Sequence, residues 1–392
     1  MRSVYALGFS YKIPEERAMK KDIVFFILFV LLTLLCGCQD PVANDLFVSD
    51  SSVSGSQSYE RNEMIYQFNR PFIKGENYFQ IEPLTLPSEL NSMKSAVSAV
   101  LSETQLLMLL YEEDPVPVIR EAGIYDLVSG EYRTSFTLDE GRTISIECTT
   151  DSLILYKETD IASNTVSLNC YDWNTGKRNQ IYQFSPEYAH TSAFYNDIVS
   201  GDGKVYFDDV VTEEEKVVGV NLLEYDFATK EVRLYRENAQ NPLWIDSRLA
   251  YICKDENTDQ HFVEVSGHED RIYLDENISL LTSTGNELYS INYESNDPKT
   301  NRTIWSIRSL SADEELLLSS NAIDQLAANC SVVTWRNFTP EKPVIYLREQ
   351  DCFTVLLEDE LAYNTYLLGA EWGVLICSHD NSPTAYYIFS LT

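Results

Sequence analysis

Apolar and polar positions alternate along most of the chain in short runs rich in β-branched and aromatic residues, broken by Asn, Asp, Gly and Ser. That is the pattern of strands joined by tight turns. A helix-like spacing of apolar residues persists only around 88–101. Strongly apolar runs recur at 105–112, 152–158, 204–211, 248–255, 287–294, 331–337 and 372–379, with starts 47, 52, 44, 39, 44 and 41 residues apart. Regular spacing of this size argues for a repeated unit of a few strands, not for two unrelated sandwiches.

Three turns resemble one another closely. Tyr125-Asp126-Leu127-Val128-Ser129-Gly130-Glu131, Tyr171-Asp172-Trp173-Asn174-Thr175-Gly176-Lys177 and Tyr225-Asp226-Phe227-Ala228-Thr229-Lys230-Glu231 each end an apolar strand and start another. An aromatic-Asp pair before such a turn resembles the third strand of WD-repeat blades, so the domain resembles a WD-repeat-like or TolB-like β-propeller. The match covers the turn alone; the Gly-His element of WD repeats is missing. The resemblance and the spacing together imply an all-β fold: a seven-bladed β-propeller of four-stranded antiparallel blades, with six or eight blades as the alternatives. The last unit supplies only three strands (362–370, 372–379 and 384–391), so a strand from the other end of the chain is expected to close the ring. Residues 61–68 (RNEMIYQF) resemble 178–184 (RNQIYQF), an outer strand of the second unit, and are the expected closing strand.

The N-terminus has a different character. Residues 23–36 (IVFFILFVLLTLLC) are almost unbroken apolar and follow Lys20 and Lys21. Fourteen residues are short of the ~20 that span a bilayer but suit the core of a signal peptide. The run ends in Leu35-Cys36-Gly37-Cys38, which resembles the lipobox of bacterial lipoproteins. The resemblance implies cleavage before Cys38 and acylation of that residue. It divides the chain into a signal peptide (1–37, with Met19 an alternative start), a lipidated Cys and flexible tether (38–58) and the propeller (59–392). The expected location is the bacterial cell membrane, anchored by the N-terminal lipid and facing the extracytoplasmic side.

Charge narrows the partners. The 392 residues contain 29 Lys and Arg against 61 Asp and Glu. Removing 1–37 takes away five cations and three anions and leaves a net charge of −34. Nucleic acid is excluded as a partner, because phosphate backbones are bound by clustered cations. Six cysteines lie in the domain, at 148, 170, 253, 330, 352 and 377, scattered singly and mostly inside apolar runs. Buried free thiols are favoured over disulfides, although an exported chain permits both.

Catalytic chemistry is sparse. GxSxG, HExxH, GxGxxG and GxxxxGK[ST] are all missing, and the four histidines (190, 261, 268 and 379) show no metal-ligand spacing. No cofactor is expected. Asp255, Asn257 and Asp259 offer alternate oxygens as calcium loops do, but Gln260 and Ser266 stand where that loop needs Gly and a bidentate acid. The polar turn of a hairpin explains them as well. The strands lining a propeller channel, and the loops entering it, would present Tyr188, His190, Asn196, Asp197, Trp244, Asp246, Asn364 and Tyr366, together with Asn277 and Asp324. The reading favoured is a non-enzymatic binding module for an extracellular protein, peptide or glycan. The alternative is a propeller enzyme, a glycan hydrolase or metal-dependent lactonase, using channel carboxylates such as Glu147, Asp197 and Asp246.

Overall fold

The computed structural model describes residues 57–392 apart from 62–63, 75–77, 114–116, 151, 186–197, 215, 256–257, 259, 269–270, 276, 297–302, 338, 380–381 and 392. All the regular elements described are strands. They form seven antiparallel sheets, each built on four strands in meander order. The blades span residues 93–137, 142–183, 199–236, 239–273, 278–319, 323–355 and 363–391. The fold is a seven-bladed β-propeller.

The seven recurring apolar runs are the second strands of these seven blades. Such a strand is buried on both faces, because a neighbouring blade packs on each side, so it reads as a continuous apolar run without alternation. In the second blade Ile154 packs towards the first blade with Phe136 and Tyr171, while Leu155 packs towards the third with Val205 and Phe207. Seven hydrophobic clusters result, one between each pair of neighbouring blades. The cluster of Trp372 and Val374 with Val97, Leu106 and Tyr125 joins the last blade to the first and closes the ring. First strands approach one another from blade to blade, Tyr363–Leu368 against Met93–Ser102 included, so they are the inner ones.

An N-terminal strand does complete the last blade, but it is Phe79–Leu84, paired antiparallel with Ser382–Leu391 from Phe79 opposite Leu391 to Leu84 opposite Tyr386. Residues 61–68 do something else. Gln57–Arg61 and Met64–Phe68 form a hairpin whose second strand pairs with Glu314–Ser319, extending the fifth blade to six strands. Phe68 is nearly fully buried there, edge-on to Phe72 and Phe353. Asn69 then donates its backbone N–H to the Leu316 carbonyl, and Arg70 ion-pairs with Glu314 and Asp351. Pro71 to Ile73 lie along Cys352–Val355 of the sixth blade through two 2.9 Å backbone bonds to Phe353. Residues 57–84 are thus a belt across the outer edges of three successive blades.

The helix-like stretch at 88–101 is a two-residue strand, Glu89–Leu90, followed by the strand Met93–Ser102. Two register shifts, between Val97 and Ala99 and between Val100 and Ser102, break its two-residue alternation. The result places Val97 and Val100 both inside, a spacing of three that mimics a helical face.

All six domain cysteines are free thiols; Cys170, Cys253, Cys352 and Cys377 are buried, Cys148 is partly so and Cys330 is exposed. Burial raises the Cys352 thiol to about 11 and the Cys377 thiol to about 12, so neither ionises near neutrality.

Candidate functional site

In an antiparallel meander the first-to-second and third-to-fourth turns lie at one end of the blade. The second-to-third turn and the passage to the next blade lie at the other. These two ends make two faces of the ring, called here the turn face and the loop face.

On the turn face the first-to-second turns of blades three, four and five surround a cleft of about 430 Å³, lined by Gly201, Asp202, Trp244, Asp246, Ser247, Ser283, Thr284 and Gly285. Each turn is tight because its residues adopt left-handed conformations: Asp202 and Gly203 at φ 52° and 73°, Asp246 and Ser247 at 50° and 58°, Gly285 at 56°. Asp and Gly tolerate that region, and paired positive φ values match the twist of a two-residue hairpin.

Trp244 forms one wall. Its indole lies across Gly201 so closely that a Cβ there would stand 2.4 Å from the ring, and only glycine fits. The indole Nε1 donates to the Ser200 carbonyl at 3.2 Å, and the ring meets Tyr206 edge-on. Ser283 donates to the Trp244 carbonyl at 2.6 Å, and the Asp246 N–H donates to Gly285 O, so the three turns are laced together. Asp246 accepts from Arg248 at 2.7 Å.

Arg348, from the sixth blade, reaches Thr284 of the cleft's lining. Its guanidinium donates to the carbonyls of Asn329, Cys330 and Thr284 and pairs with Glu287 at 3.2 Å. Tyr289 donates to the same carboxylate; burial, then that hydrogen bond, pushes its phenol up to about 12.

Of the residues singled out by the sequence, Trp244 and Asp246 meet in this cleft. Asn364 and Tyr366 do not join them. Both are buried in the first strand of the last blade, and Tyr366 donates to the Val344 carbonyl of the sixth at 3.0 Å. Asp324 is held by a two-pronged bond from Arg336, and Asn277 donates to the Tyr293 carbonyl. Tyr188, His190, Asn196 and Asp197 lie outside the described residues, as do Cys38, Asn257 and Asp259. Asp255 accepts the Thr258 N–H at 3.1 Å and pairs with Arg271 at 3.5 Å. Among the described residues no three His, Cys, Asp or Glu side chains are placed to hold a metal ion.

Asp202, Ser247, Ser283 and Thr284 escape the sequence reading. A signal for them exists: Gly201-Asp202-Gly203, Asp246-Ser247 and Thr284-Gly285 all fall just before or at the start of a second-strand run.

No protein-family model matches the sequence, and no curated protein matches it. Solved structures do. The chain is similar to a prolyl endopeptidase (TM-score 0.53, 9% identity), covering 76% of this chain and 49% of that one, so it spans about half that protein's length. It is similar to the β-propeller domain of the trilobed protease from Pyrococcus furiosus (TM-score 0.51, 10% identity, 74% of this chain and 93% of that domain). TolB from Acinetobacter baumannii is similar at TM-score 0.43 and 11% identity, over 76% of this chain and 66% of that one. At these identities the likeness is one of fold.

Proposed function

We propose that the protein is a lipid-anchored, extracytoplasmic binding module that holds a protein, peptide or glycan segment in the turn-face cleft of blades three to five. The observation that carries this reading is the cleft's composition. An aromatic wall, two carboxylates and three hydroxyl-bearing side chains converge from three blades on an open concavity, the mixture of apolar body and oriented polar groups that ligand sites use.

Three carboxylates on and beside the inner strands are each held by a cation. Glu147 pairs with Lys157 at 3.1 Å, Asp246 with Arg248 and Asp324 with Arg336.

Arrays of glycans and peptides, probed with the purified full-length protein, test the reading. Asp202→Ala and Ser247→Ala are expected to weaken capture at least tenfold while leaving the melting temperature within 2 °C, roughly the scatter of surface substitutions. Capture unchanged by both substitutions would move the site elsewhere. New products in the array supernatant would favour the enzyme.

A further inference from the structure

Several hydrogen-bond donors lining the cleft are already spent within it. The Trp244 indole N–H is committed to the Ser200 carbonyl and the Ser283 hydroxyl to the Trp244 carbonyl. The Asp246 N–H is committed to Gly285. The indole therefore offers the cleft its ring and no polar atom. Two carboxylates remain as acceptors. Asp202 is exposed in the turn of the third blade, and among the described residues no hydrogen bond or ion pair engages it. Asp246, in the turn of the fourth, accepts from Arg248 through Oδ2.

Charge points the same way. Asp202, Asp246 and the neighbouring Glu287 carry three negative charges, and Arg248 and Arg348, held by Asp246 and Glu287, return two. One incoming cation brings the group to neutrality. The site also accepts guanidinium groups from the chain itself: Arg248 donates to Asp246 at 2.7 Å, and Arg348 to the Thr284 carbonyl at 3.5 Å.

We propose that the cleft holds the guanidinium of an arginine on an exposed segment of a partner protein. The proposal rests on the reading of this cleft as a binding site and gives it a ligand class. A guanidinium is planar, carries five donors and no acceptor, and is weakly hydrated. It lies against the Trp244 ring, whose quadrupole attracts cations, and its fork meets a carboxylate. A lysine ammonium is a compact, strongly hydrated point charge that gains less from a flat wall. A sugar hydroxyl both donates and accepts, and the side-chain donors that the lining has left for it are Ser247 and Thr284. The net charge of −32 attracts any cation, but at physiological ionic strength charges beyond a Debye length of about 8 Å are screened. Binding measured there reports the cleft's own carboxylates.

The probe is a blocked Gly-Ser peptide with one central arginine, beside the same peptide with citrulline or lysine. Citrulline keeps the planar shape and loses the charge. Each is titrated into the full-length protein at physiological ionic strength and followed by saturation-transfer NMR. The variant is Asp202→Asn, and the control is Asp313→Asn, whose carboxylate is 95% exposed in another turn of the same face. Both positions have left-handed φ values, 52° and 53°, which asparagine tolerates, so both variants fold. Asp202→Asn and the change to citrulline are each expected to weaken binding by about tenfold or more, and Asp313→Asn by less than about twofold. Lysine is expected to bind more weakly than arginine. Equal losses from Asp202→Asn and Asp313→Asn would assign the peptide to the acidic surface at large and overturn the proposal. Lysine binding as tightly as arginine would overturn it too. Undiminished citrulline binding that Asp202→Asn still weakens would overturn the guanidinium and leave the cleft a binding site. Binding of none of the peptides also overturns the proposal, and the Asp202→Ala arm of the arrays then decides the cleft itself.

Discussion

At the scale of single residues, one device recurs. Asp126, Asp172 and Asp226 each accept two backbone N–H bonds from the turn that follows, from Val128 and Ser129, Asn174 and Thr175, and Ala228 and Thr229. Their carboxyls lie below the usual range, for Asp126 and Asp226 chiefly through the backbone bond of the fourth turn residue, Ser129 or Thr229, for Asp172 chiefly through the Thr175 side chain. A depressed carboxyl contributes stability above its unfolded value near 4 that is lost as pH falls through the folded value. The fifth residue closes each turn at positive φ: Gly130 at 69°, Gly176 at 67° and Lys230 at 60°. Lysine bears a left-handed cost of roughly 1–2 kcal/mol there, and glycine's extra unfolded freedom costs about half of that. Lys230→Gly is therefore expected to raise the melting temperature by about 1–3 °C, read by calorimetry. A lowered melting point would show that the Lys230 side chain has a role this geometry does not contain.

Adjacent acids use the two faces of one strand. Asp208 accepts the Asn241 N–H of the fourth blade at 2.8 Å, whereas Asp209 accepts from Tyr182 and Ser185 of the second. Asp209→Ala leaves those donors unpaired in a buried place and is expected to cost about 2–3 kcal/mol. Chemical denaturation measures it, and a cost under 0.5 kcal/mol would mean water takes over the bonds.

At the scale of elements, the belt is the informative part. A chain starting at residue 70 loses the hairpin and the buried Phe68 ring, worth about 3–5 kcal/mol, but keeps Phe79–Leu84. It should melt roughly 5–10 °C lower without aggregating. A chain starting at residue 86 loses the closing strand, exposes the edge of Ser382–Leu391 and should aggregate. Size-exclusion chromatography of both separates the cases; equal behaviour would remove the distinction between belt and closure.

The same elements show what was legible beforehand. The seven second strands stood out because burial on both faces removes polar positions from them. The likeness of 61–68 to 178–184 carried only the character of an outer strand, since backbone pairing does not record which edge it will meet. The true closing strand was hidden by composition. Phe79–Leu84 contains Pro83, which lacks an N–H and argues against a strand; it is tolerated because this strand is outermost in its blade. Trp244 and Asp246 were visible as an aromatic and an acid near a strand end. Their union with Ser283 and Asp202 depends on three blades meeting, which no local pattern records.

At the scale of the whole molecule, tyrosines tether carboxylates across the ring. Tyr182, Tyr251, Tyr289, Tyr346 and Tyr387 donate to Asp209, Glu264, Glu287, Asp351 and Glu360. Burial raises the first four phenols, and the bond to Glu360 is the main cause for Tyr387; Tyr289 and Tyr387 reach about 12. A raised folded value means stability that is complete below the unfolded value near 10 and lost as pH climbs through the folded one. Each well-buried phenol costs up to about 1.4 kcal/mol per pH unit above 10, the more exposed ones less. Several together exceed a typical margin of ~5–15 kcal/mol. Cooperative unfolding between pH 10 and 12 is expected, with tyrosinate absorbance and loss of the β circular-dichroism signal moving together. Phenols that ionise near pH 10 while the fold persists would refute it.

Ring closure also sets an order of folding events. Phe79 pairs with Leu391, so the last blade is completed by segments about 310 residues apart. Bringing such distant segments together carries a loop-closure entropy of about 5 kcal/mol, offset only after the intervening blades have stacked. Until then the early strand waits with an unpaired edge. The interval before the seventh blade has formed is therefore when aggregation competes with closure and decides the folding yield.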